Sequence, residues 1–171
     1  MQFVILGVAA FALSGLLTGP VRALAMKLSL MDLPNMERKT QTAPVPYLGG
    51  VAIAVSITSI TYAAVIFSDS SRTNVSLITY AIAPALVLAM MGLLDDIRNL
   101  EPLPRLIFQT FVGVLAALFL INQGVIGSPS SNSILNFFIC VFWIVAICNS
   151  INFFDNLDGG AAGSVAVSTL G

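Results

Sequence analysis

Long apolar stretches separated by short polar connections dominate the chain. Five of them reach or approach the roughly 20 mainly apolar residues a helix needs to cross the hydrocarbon core of a bilayer: Phe3 to Leu24, Tyr47 to Phe67, Val75 to Leu94, Leu106 to Ile121 and Ile134 to Phe153. The pattern predicts an all-α, polytopic transmembrane bundle of five spanning helices, with a sixth beginning near Ala161. Pro84 interrupts the third stretch. Membrane helices tolerate proline because neighbouring groups satisfy the freed backbone, so a kinked span is expected there. No connection is long enough for a soluble domain, and residues 1–171 read as a single integral membrane domain.

Composition agrees with the bilayer as solvent: 57% of residues are hydrophobic and 9% charged, and the mean hydropathy is +0.96. A net charge of −1 and the absence of histidine remove the basic footprint expected for nucleic-acid binding and the imidazole that commonly serves acid/base and metal chemistry. Catalysis would have to use carboxylates, amides and cations. Cys140 and Cys148 share one apolar stretch, at a spacing that suits neither zinc nor a small disulfide scaffold, and are assigned to packing. The amino terminus lacks the basic segment of a signal peptide, so the first stretch is expected to stay in the protein.

Charge orients the bundle. Arg22, Lys27, Arg38 and Lys39 lie at or after the first stretch and Arg98 and Arg105 after the third, six basic residues against Arg72 alone after the second. The positive-inside rule then puts the amino terminus outside and the first, third and fifth loops in the cytosol. Acids played no part in that assignment. Even so, Asp32, Glu37, Asp95, Asp96, Glu101, Asp155 and Asp158 fall on the same face, and only Asp69 on the other.

Three segments on this face hold candidate chemistry. The third stretch ends in Gly92-Leu93-Leu94-Asp95-Asp96. Adjacent carboxylates repel each other and are disfavoured at a helix C-terminus. Solvated residues at a helix end would call for basic partners; a divalent cation would relieve both penalties. The fifth stretch ends in Asn149-Ser150-Ile151-Asn152-Phe153-Phe154-Asp155-Asn156-Leu157-Asp158-Gly159-Gly160, with Asn or Asp at every third position. Each such step drifts about 60° around a helix, so unwinding near Gly159-Gly160 would be needed to aim all four at one point. The alternative is an Asx-rich helix end with a glycine cap. In the first cytosolic loop, Arg38 and Lys39 either anchor topology or receive phosphate, and Arg105 has the same two readings. Both acidic helix ends are expected to face one shared cation.

Taken in order, Asp32-x-Pro34 with Arg38-Lys39 and Pro46-x-x-Gly49-Gly50, then Gly92-x-x-Asp95-Asp96 followed by Arg105 and Gln109, then Asn149-x-x-Asn152-x-x-Asp155-x-x-Asp158-Gly159 with Ala161 and Gly163, the chain resembles the polyprenyl-phosphate N-acetylhexosamine-1-phosphate transferases. These are membrane enzymes related to phospho-N-acetylmuramoyl-pentapeptide transferase. The resemblance implies that a polyprenyl phosphate attacks the sugar-linked phosphate of a UDP-sugar, giving a lipid diphosphate sugar and UMP. The products would be lipid-linked intermediates of cell wall, lipopolysaccharide or teichoic acid. It implies magnesium, or manganese in its place, with Asp95 and Asp96 at the reacting phosphates. Asn152, Asp155, Asp158 and Arg105 would line the nucleotide and diphosphate, Arg38 and Lys39 would meet substrate, and Asp95, Asp96, Asn152 and Asp158 would form the metal's ligand set. The site would face the cytosol at the inner (plasma) membrane. Gln41 stands where the family usually has histidine, Asn156 where it has glycine and Gly160 where it has leucine. The family's fold has more spans, and its remaining part carries a Gly-Asp-x-Gly-Ser segment. This chain is therefore expected to be an amino-terminal half that works with a complementing carboxy-terminal segment or as a homodimer. A transporter, with intramembrane acids carrying ions or protons, and an inactive truncated remnant are the competing readings.

Overall fold

The computed structural model describes residues 2–32, 44–67, 72–124, 130–155 and 160–170. Arg38, Lys39 and Asp158 lie outside them. Among the described residues six helices follow one another: α1 (Gln2–Lys27), α2 (Gly49–Phe67), α3 (Arg72–Arg98), α4 (Pro102–Asn122), α5 (Ser133–Phe154) and α6 (Gly160–Leu170). The first five are long and apolar enough to cross a membrane, as the sequence pattern predicts. α3 continues through Pro84, and α1 through Pro20.

The chain forms two compact units, Met1–Arg105 and Leu106–Gly171. In the first, α1 packs on α2 and α2 on α3. A short antiparallel ribbon, absent from the all-helical expectation, joins β1 (Met31–Asp32) to β2 (Val45–Pro46), with Met31 opposite Pro46 and Asp32 opposite Val45. The ribbon follows from how α1 ends. Leu30 N–H donates to Ala25 O and Ser29 N–H to Met26 O, with Ser29 in the left-handed region at φ 56°. This is a Schellman cap with serine where glycine is usual. The chain leaves the cap extended, and Tyr47 N–H donates back to Leu30 O.

Several helix boundaries differ from the apolar stretches by a few residues, and two of them bear on the site. α3 extends past Leu94 to Arg98, so the aspartate pair lies in its last turn, not at its end. Asn99 at φ 49° terminates it, its N–H donating to Asp95 O. α4 begins at Pro102, placing Arg105 within the first turn. Proline suits that position, because a first-turn N–H has no helical partner to lose and φ is already helical.

The buried core is made mostly of small side chains: Ala25, Ala52 and Ser56, with Leu48 and Val65, in the first unit, and Val112, Ala116, Ala117 and Val141 in the second. Lipid tails are as apolar as leucine, so membrane helices gain by close approach and dispersion and not by removing apolar surface from water. Large apolar side chains correspondingly face outward, Phe3 at 88% and Phe142 at 71% exposure. Hydroxyls inside the first unit are satisfied: Ser56 donates to Ala52 O, and the Tyr62 and Thr79 hydroxyls join α2 to α3 at 2.8 Å.

Candidate active site

The end of α3 separates the two adjacent aspartates. Asp95 is held on both oxygens: Oδ1 accepts the Leu100 N–H at 3.1 Å, and Oδ2 accepts Arg105 Nη1 at 2.7 Å. Its side chain is 11% exposed and that of Arg105 25%. Asp95 therefore has the basic partner that a solvated residue at a helix end would call for. Asp96, the next residue on the helix, is exposed. The site thus contains one carboxylate fixed by a cation and a loop amide, beside a second that faces outward.

Tyr47, a residue the sequence reading did not single out, belongs to the same region. Its hydroxyl donates to Asp32 Oδ1 at 3.0 Å across the open end of the ribbon. Burial, that hydrogen bond and the charges of Asp32 and then Asp96 raise its pKa above the usual tyrosine value. Tyr47 thus ties the two ends of the first loop, within reach of the Asp96 charge. A tyrosine at a membrane boundary, with an apolar ring and a polar tip that needs a partner, was the available signal.

In the second unit α4 and α5 touch where Gly113 lies beside Val141, Ile144 and Val145. Gln109, Val112, Gly113, Ala116 and Ala117 recur at the three- and four-residue spacing of one helix face, and all are buried or part-buried. Val141, Ile144, Val145, Cys148 and Asn149 do the same on α5. A Cβ built on Gly113 would lie 3.6 Å from Val145 Cγ2 and 3.7 Å from Ile144 Cγ2. At the end of this apolar seam Asn149 Nδ2 donates to Gln109 Oε1 and to Val145 O, both at 2.8 Å.

The Asn/Asp series is accordingly divided. Asn149 is part-buried against α4, whereas Asn152 and Asp155 are exposed. Asp155 is the residue that closes α5, with φ −70° and ψ −10° and its N–H on Ile151 O. The expected unwinding at Asp158 and Gly159 lies outside the described residues. The aspartate pair falls in the first unit and the series in the second.

Oxygen donors alone characterise these positions, a set suited to a hard cation such as magnesium. Among the described residues no group of three or more acidic or cysteine side chains converges as a preformed metal cage. Magnesium does not require one, because it is usually held by one or two carboxylates plus substrate phosphates and water.

The family model for glycosyl transferase family 4 matches residues 78–171. The chain is 27% identical over 162 residues to a probable undecaprenyl-phosphate N-acetylglucosaminyl 1-phosphate transferase of Bacillus subtilis, covering 91% of this chain and 43% of that protein. It is 27% identical over 179 residues to a decaprenyl-phosphate N-acetylglucosaminephosphotransferase of Mycobacterium tuberculosis, covering 99% and 44%. It is 28% identical over 146 residues to a phospho-N-acetylmuramoyl-pentapeptide-transferase of Streptococcus pneumoniae, covering 78% and 44%. The chain spans less than half the length of these relatives. No solved structure gave a significant match.

Proposed function

The chain belongs to glycosyl transferase family 4, and on that premise we propose that it forms part of an enzyme moving a sugar 1-phosphate from a UDP-sugar to a polyprenyl phosphate, with release of UMP. The sugar is an N-acetylhexosamine and the product a lipid-linked precursor of cell wall or surface polysaccharide. The reaction takes place at the cytosolic face of the inner membrane. A complementing carboxy-terminal segment completes the site.

The observation that carries this reading is the division of labour in the aspartate pair. Asp95 fixes Arg105, so that a guanidinium is held at the end of α3, whose last turn also carries the exposed Asp96. The lipid phosphate needs little help as a nucleophile. A phosphate monoester has a second pKa of about 6 and is mostly dianionic at neutral pH. The harder task is bringing two anions together, which cations accomplish by alignment and charge stabilisation. Arg105 contributes one such charge, and its planar fork suits phosphate oxygens. Magnesium, for which Asp95, Asp96, Asn152 and Asp158 are the ligands that the family resemblance implies, would supply the second as a Lewis acid on phosphoryl oxygens. Asn152 and Asp155 bind the nucleotide, while Arg38 and Lys39 meet the incoming phosphates.

The test is magnesium-dependent exchange of labelled UMP into UDP-N-acetylhexosamine in membranes, measured beside nucleotide binding. Asp96→Asn keeps size and loses charge, so it is expected to abolish most exchange and keep donor binding. Asp155→Asn is expected to weaken binding as well. Near-normal exchange by Asp96→Asn would overturn the carboxylate–metal mechanism.

A further inference from the structure

The seam between α4 and α5 sets Gly113 on one side against Val141, Ile144 and Val145 on the other, with Ala116 and Ala117 buried on the same face of α4. Such a surface permits close approach, but its low relief resists rotation of one helix against the other only weakly, because helix packing is keyed by ridges entering grooves. At the end of the seam the Asn149–Gln109 hydrogen bond makes a directional contact between the two helices. Both hydrogens of the Asn149 amide are used, one on Gln109 and one on its own helix at Val145 O, so the side chain is fixed in orientation as well as position. A polar side chain in an otherwise apolar helix interface is a recognised way to specify register.

We propose that Gln109 and Asn149 form a positioning pair whose hydrogen bond sets the rotation of α5 and thereby aims Asn152 and Asp155. The identity of what they are aimed at, the donor nucleotide, rests on the function proposed above. Asn152 is one helical turn beyond Asn149 and Asp155 one turn further, each displaced about 60° around the axis. Their exposure, against the part-burial of Asn149, follows that displacement away from α4. The geometric leverage is large. A helix with its side chains has a radius of roughly 5–6 Å, so a rotation of about 20° carries a side-chain tip about 2 Å, and misplacement by about 1 Å can cost a hundredfold in rate. Gln109 and Asn149 touch no reacting atom in this scheme; they act through α5.

The test places single cysteines at 150, 152, 153 and 155 and measures their modification by a charged thiol reagent in membranes, with and without UDP. The backgrounds are wild type, Gln109→Met, Asn149→Leu, and the exchange in which Gln109→Asn accompanies Asn149→Gln. The two apolar variants are expected to redistribute reactivity around α5, positions on one flank gaining as those on the other lose. The exchanged pair spans the same length and is expected to restore the wild-type pattern, which loss of folding could not do. An unchanged pattern in both apolar variants, or failure of the exchanged pair to restore it, would overturn the proposal. A redistribution that is restored, with no protection by UDP at any position, would leave the positioning pair standing and overturn the nucleotide assignment.

Discussion

Asp95→Asn keeps an acceptor for the Leu100 N–H but gives up the charge that holds Arg105. A hydrogen bond to a charged group contributes roughly 1.5–3 kcal/mol, and partial exposure of Arg105 puts this one at the low end. Thermal unfolding of the purified protein should therefore show a loss of about 1.5 kcal/mol. At Tyr47 the sign follows from the raised pKa. The clasp to Asp32 is fully present below the ordinary tyrosine value of about 10 and is lost as pH rises through the higher folded value. Tyr47→Phe is expected to cost at most about 1 kcal/mol at neutral pH, and the variant and wild type should converge in strongly alkaline buffer. Unfolding measured at both pH values checks this; a gap that persists at alkaline pH would remove the hydroxyl from the account. Adjacency made Asp95 and Asp96 conspicuous in the sequence. The ion pair of Asp95 was not legible there, because it depends on a turn that returns Arg105, ten positions on, to that carboxylate.

Helix ends and seams carry their own tests. Ser29 occupies a left-handed position at φ 56°, which costs a non-glycine residue about 1–2 kcal/mol. Ser29→Gly relieves that cost while loosening the unfolded chain, so a net stabilisation of about 0.5–1 kcal/mol is expected by thermal unfolding. Gly113 approaches Val145 closely enough that one methyl fits in ordinary contact and a longer side chain does not. Gly113→Ala should be tolerated, and Gly113→Leu should cost about 1–3 kcal/mol through overpacking. The spans were readable from apolar run length. The ends of α3 and α4 were not: hydropathy falls at Asp95 and Pro102, while the hydrogen-bonded helix continues to Arg98 in one case and begins at Pro102 in the other. Periodicity within α4 and α5 was hidden by the uniform hydrophobicity of both helices, since an all-apolar helix does not advertise which face meets protein and which meets lipid.

Orientation in the membrane is a property of the assembled chain, and the asymmetry of six basic residues against one argues it. Cysteines replacing Ser70 and Ser130 are expected to label from outside intact cells, and those replacing Gln41 and Asn99 are not. Strong external labelling at position 41 would invert the topology and remove the proposed site from cytosolic nucleotides. The sequence by itself determined that the protein is a bundle of spanning helices, how many long apolar spans it has, and which family it belongs to. All three rest on run length, composition and the order of short motifs, quantities that survive without coordinates. Only the tertiary structure decided that Asp95 is tied to Arg105, that Tyr47 closes the first loop on Asp32, and that Asn149 leaves the Asn/Asp series to hold Gln109. Each of those is a directional bond between residues ten to forty positions apart. Hydrogen-bond strength depends on distance and angle, and these are fixed only once the helices have packed.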